Sequence, residues 1–192
     1  MLRNLALIVV ASALMTGPVA MAAADKETSY DIEVLVFENR LPELIGDELL
    51  AKDPKALVIR DLDKAVLPDT TPSDSLLGSL IAQQLGRDGH YRLLSQARWQ
   101  QTLDPSGKAT VKPVRISGGT AGELDGTILL YLSRYLHMDV NLLFRDNTSS
   151  SAPLTFRLSE QRRVKGQETH YFDHPRFGVL VRILPLEKDK KS

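Results

Sequence analysis

The chain has 192 residues, with 24 basic and 24 acidic side chains, no cysteine, 43% hydrophobic and 25% charged residues. That composition supports an apolar core of ordinary size, while the lack of cysteine excludes disulfides and thiolate metal sites. A formal net charge of zero removes any global attraction to nucleic acid or to an anionic membrane surface.

Residues 1–24 have the pattern of an export signal. Arg3 precedes a run, residues 5–14, that is apolar except for Ser12 and, at about ten residues, is too short to span a bilayer. Gly17 and Pro18 then break the run before small-residue patterns ending at Ala22 and Ala24, where cleavage is expected. An uncleaved N-terminal anchor is the alternative. Residues 25–192 are predicted to form a single domain, with no later stretch apolar enough to cross a membrane.

In residues 30–38, Ile32, Val34 and Val36 alternate with other side chains, as in a strand with one buried face. Residues 39–70, punctuated by Pro42, Gly46, Pro54 and Pro68, read as a long variable connection holding at most a short helix near residues 43–52. Thr71, Pro72 and Asp74 stack helix-start signals, and Leu76, Leu77, Leu80, Ile81 and Leu85 follow on one face up to Gly89. Residues 91–94 suggest a short strand leading to a segment around Trp99, and residues 104–108 a polar turn. Val111, Val114 and Ile116 suggest another strand, ending at Ser117-Gly118-Gly119. From Thr127 to Arg145 apolar residues hold even positions, interrupted only by Arg134, with no glycine or proline inside. This predicts one strand of roughly 60 Å, bent or bulged at Arg134. Residues 146–153 read as a hairpin loop, after which Leu154, Phe156 and Leu158 return antiparallel. Phe177, Val179, Val181 and Ile183 form a last strand ending at Pro185, and residues 186–192 a charged tail. The predicted fold class is α+β: a mainly antiparallel sheet with the helix packed on one face.

Odd positions of the long ribbon carry Tyr131, Ser133, Tyr135, His137, Asp139 and Asn141. Such a row suits carbohydrate, since aromatic faces pack on sugar C–H surfaces and polar neighbours bind hydroxyls; it is equally what the wetted face of a sheet presents. Arg157, Arg162, Arg163 and Lys165 form a local basic group fit to pair with carboxylates, or with acids of the chain such as Glu160 and Glu168. His170, Asp173 and His174 could ligate zinc, but His-x-x-x-His needs a helix to bring both rings to one side, and Pro175 and Gly178 argue for a strand and turn. No serine, cysteine or glycine-rich motif of nucleophilic or phosphate chemistry is present.

Gly126, Arg134-Tyr135-Leu136-His137, Arg162-Arg163 and the run Glu168-Thr169-His170-Tyr171-Phe172-Asp173-His174-Pro175-Arg176-Phe177-Gly178 together resemble the CsiV family of peptidoglycan-binding proteins. So do residues 30–38 and 91–99. The resemblance implies a periplasmic, non-enzymatic protein of Gram-negative bacteria, without cofactor, that binds peptidoglycan and supports envelope integrity by assisting cell-wall synthesis enzymes. It brings no assigned binding residues. From their own chemistry, the candidate ligand-binding residues are Tyr131, Tyr135, His137, Arg162, Arg163, His170 and Tyr171. Two rival readings are a protein-interaction module that pairs a sheet edge with an envelope partner, and a zinc-dependent wall hydrolase built on His170, Asp173 and His174.

Overall fold

The structure, a computed structural model, describes residues 27–40, 58–68, 77, 87, 89–120, 123–147 and 154–186. Among the described residues eight strands run in chain order: β1 Thr28–Asn39, β2 Tyr91–Leu103, β3 Val114–Gly118, β4 Leu124–Leu132, β5 Leu136–Asp146, β6 Leu154–Arg163, β7 Glu168–His174 and β8 Phe177–Pro185. They form two four-stranded antiparallel sheets, ordered β2-β1-β8-β7 and β3-β4-β5-β6. The period-2 pattern explains the layering. In the first sheet Ile32, Val34 and Val36 stand opposite Ile183, Val181 and Val179, and in the second Met138, Val140, Leu142 and Phe144 lie beside Phe156 and Leu158. All of these belong to one cluster of buried apolar side chains fed by both sheets, so each sheet covers the other.

The α+β expectation is therefore overturned. Among the described residues there is no helix of seven or more, and the layer facing the first sheet is a second sheet. The export signal, the short helix near residues 43–52 and residues 187–192 lie outside the described residues. So does the helix expected from Thr71, except for Arg87 and Leu77; Leu77 is helical, buried, and donates its N–H to Glu33 Oε2 at 3.5 Å.

The single long strand over residues 127–145 is corrected as well, and its error hid the second sheet. The ribbon folds at residues 133–135 into a hairpin, with Leu132 opposite Leu136, Tyr131 opposite His137 and Leu130 opposite Met138. A three-residue connection pairs even positions with even positions, so the alternation passes through the turn without a change of phase. Ser133 N–H bonds to the Tyr135 carbonyl at 3.0 Å, closing the turn without glycine, and none of its residues has positive φ. A bulge does occur, but in β2: Val36 faces Ser95 while Phe37 faces Leu93, leaving Leu94 extra. The segments read separately around residues 91–94 and Trp99 are thus one strand, whose apolar phase shifts at Leu94. At this point β2 meets β3, where a Cβ on Gly118 would collide with the Leu94 carbonyl and Gly119 N–H donates to that same oxygen at 2.8 Å.

The run from Tyr171 to Gly178 works structurally at the β7–β8 turn. Buried Arg176 reaches Asp146 and, at 3.7 Å, Glu38; Glu38 also accepts from Arg92 at 2.8 Å, and Arg92 joins Glu123 at 2.8 Å. His174 accepts the Arg176 N–H on Nδ1 at 3.1 Å between Phe156 and Phe177. Burial pushes its imidazole below the usual range, with Arg176 adding to the effect and Asp173 opposing it. Gly178 lets two rings meet: a Cβ there would lie 2.6 Å from Phe37 Cζ and 2.7 Å from Tyr171 Cε2, where the rings now stack at 6.2 Å and 5°.

Candidate functional site

The hairpin turn and the end of β6 bring together side chains that are far apart in sequence. Arg163 stands opposite His137, and its guanidinium carbon lies 3.5 Å from the centre of the Tyr135 ring, with Arg134 at 5.6 Å from the same ring. Tyr135 is 39% exposed. A guanidinium held over an aromatic face keeps its in-plane N–H donors at the rim, in the fork that matches a carboxylate. Among the described residues no acceptor takes those donors.

Tyr131 occupies a different position from Tyr135. It is buried, its ring stacks on His137 at 5.2 Å, Lys108 sits 5.7 Å from the ring centre, and its hydroxyl accepts from Gln161 Nε2 at 2.5 Å. Tyr131 therefore fixes His137 and Gln161 in the sheet, leaving Tyr135 as the available aromatic surface. Arg162 and Arg163 also divide, since neighbours on a strand point to opposite faces. Arg162 turns towards β7, donates to the Tyr171 carbonyl, pairs with Glu160 at 3.1 Å and covers the Phe172 ring at 3.9 Å. It clamps β6 to β7.

Where β6 passes into β7, an open depression of about 550 Å³ is lined by Arg162, Arg163, Lys165, Glu168, His170 and Tyr171, among others. Four predicted residues meet here. His170 Nε2 sits 2.9 Å from the Lys165 carbonyl and 3.2 Å from its N–H, closing the connection. Tyr171 is 45% exposed and donates its hydroxyl to Asp173 Oδ1 at 2.6 Å; burial and then that carboxylate push the phenol well above its usual range. Lys165 pairs with Glu168 at 3.3 Å with both side chains at least half exposed, an exchangeable contact in water. The depression is thus basic, with one arginine committed to structure and one open.

His170, Asp173 and His174 do not converge. On β7 the two histidines share a face about 13 Å apart, and Asp173 points to the other. Among the described residues no three histidine or carboxylate side chains group as metal ligands.

An exposed aromatic ring, an uncommitted guanidinium and a shallow basic depression thus lie side by side, a set of groups whose chemistry suits carboxylates. The chain belongs to the CsiV family of peptidoglycan-binding proteins, whose family model matches residues 67–186. That segment contains every residue of the site and seven of the eight strands; β1 lies before it. Membership places peptidoglycan as the partner and the cell envelope as the setting. No curated protein and no solved structure matches the chain.

Proposed function

We propose that this protein is a non-enzymatic periplasmic factor that docks directly on peptidoglycan through the β6–β7 corner and thereby supports wall synthesis and envelope integrity. The polymer joins sugars to short peptides with free carboxylates. Arg163 receives a carboxylate on its open fork, Tyr135 and Tyr171 offer ring faces, and Lys165 adds charge at the rim. The observation that carries the reading is Arg163 over Tyr135, uncommitted and exposed, beside the basic depression of a peptidoglycan-binding family member. Removal of an export signal near Ala22 or Ala24 would deliver the chain to that compartment.

The test is retention on purified wall sacculi. A folded Tyr135→Ala/Arg163→Ala variant should be retained at least tenfold less well than the parent, since a charge-assisted pair contributes about 1.5–3 kcal/mol. Undiminished retention removes this site. A second reading, strand addition to a partner, is favoured by β6 and β7 lying at sheet edges. In that case pure protein does not bind pure sacculi, yet captures a partner strand.

A further inference from the structure

A second groove lies on the outer face of the β3-β4-β5-β6 sheet, about 310 Å³ in volume and roofed by the turn at residues 60–64 and by residues 108–113. This is the low end of the ~300–1,000 Å³ range of small-molecule sites. Its floor is a row of short polar side chains running across three strands, with Thr127 opposite Asn141 and Asn141 opposite Ser159. Thr127 and Asn141 are 5% and 6% exposed, and Ser159 is exposed. Asn141 Oδ1 accepts from Arg157 Nη2 at 2.9 Å, which leaves the NH₂ as the amide's remaining donor at the groove floor. Among the described residues neither that NH₂ nor the hydroxyls of Thr127 and Ser159 has a hydrogen-bond partner.

The walls are apolar at Leu129, Val111 and Pro113. At the mouth the charges cancel in pairs, Lys108 with Asp139 at 2.5 Å and Lys64 with Asp61 at 2.7 Å, leaving Arg60 beside them. With Arg60 the lining carries three cations against two carboxylates, but these stand at the mouth, and the floor of Thr127, Asn141 and Ser159 holds no charge for a carboxylate to pair with. An uncharged ligand with hydroxyls, one carbonyl acceptor and a small apolar group satisfies the floor and the walls together. An acetamido sugar has those features: its carbonyl takes the Asn141 NH₂, its hydroxyls take Thr127 and Ser159, and its methyl lies on Leu129 and Pro113.

We infer that this groove binds an uncharged N-acetylated sugar unit, making it a glycan subsite separate from the carboxylate-binding corner. The inference deepens the reading above and relies on it only for the polymer that carries the sugar. Ser159 and Arg163 lie on the same face of β6, about 13 Å apart at the rise of a strand, so one strand track joins the two sites. The groove holds the glycan, and the corner holds its peptide.

The test uses the purified protein, isotopically labelled, titrated with tri-N-acetylchitotriose, which has no peptide and no charge, and with maltotriose, which has no acetamido group. Amide shifts at Thr127, Asn141 and Ser159 with the first sugar, and none with the second, are expected. A Thr127→Val/Ser159→Ala variant, which deletes two hydrogen bonds with little change of shape, should weaken binding about tenfold. Ala109→Trp, a change at an exposed position lining the groove, should abolish it. Shifts located elsewhere, equal binding of maltotriose, or unchanged affinity in both variants would overturn the assignment. Retention on sacculi is measured in parallel. Protein that binds sacculi but not chitotriose loses the groove and keeps the function proposed above; protein that binds chitotriose in the groove but not sacculi does the reverse.

Discussion

Replacing Arg176 by alanine removes the central cation of a buried network. Arg176 is 8% exposed at its side chain, and its partners Asp146 and Glu38 are 9% and 5% exposed, so water does not restore what the guanidinium supplied. Glu38 keeps Arg92 and Arg40, but Asp146 loses the contact that Arg176 gave it, and the face of Phe156, 5.4 Å from the guanidinium carbon, is uncovered. Breaking a buried pair by deleting one partner costs about 3–5 kcal/mol. At roughly 2–4 °C per kcal/mol for a domain of this size, the melting temperature should fall by about 10 °C in scanning calorimetry. Arg40→Ala is the internal control. It touches the same Glu38 at 3.2 Å from a side chain 48% exposed, and should cost under about 1 kcal/mol. Equal losses for the two variants, or a loss below about 1 kcal/mol for Arg176→Ala, would refute the view that this turn is held by buried charge.

Gly178→Ala forces a methyl into the Phe37–Tyr171 stack, at 2.6 and 2.7 Å from ring atoms, and should cost about 1–3 kcal/mol in urea unfolding with an unchanged m-value; a neutral result contradicts the close approach. His174 is held neutral by burial, its folded pKa lying below the unfolded 6.5, so its contribution is complete above pH 6.5 and is lost as pH falls through that value towards the folded pKa. His174→Asn, which keeps an acceptor for the Arg176 N–H, should therefore show a shallower decline in melting temperature between pH 7.5 and 5 than the parent; parallel curves would show that another group titrates.

The sequence revealed strands more readily than their partners. β1 and β8 were legible because each buries one face and alternates accordingly, yet nothing in Ile32 or Val181 says that these strands pair across some 150 residues of chain. The turn at residues 133–135 was invisible for a physical reason: an odd loop preserves parity, and Ser133, Arg134 and Tyr135 adopt it without glycine. An alternation that runs unbroken through the hairpin shows one strand where there are two, and so conceals the second sheet that covers the first. The same parity conceals the site. Tyr131 and Tyr135 share a parity, but one lies in the ladder and the other in the turn, which is why the first is buried and the second exposed. The charge of Arg163 is legible in the sequence, while its seat on Tyr135 depends on the β5–β6 register. Asn141 is legible as part of the polar row, but the groove above it is closed by residues 60–64 and 108–113, whose arrival no local pattern announces.

Calorimetric titration of the purified protein with a soluble disaccharide-peptide fragment of the wall tests direct, passive docking most closely. Saturable binding that is lost in Arg163→Ala and weakened when the peptide carboxylates are amidated, with the fragment recovered intact, is the predicted result. An absence of binding by the parent protein, indifference to Arg163, or recovery of a cleaved fragment would contradict it.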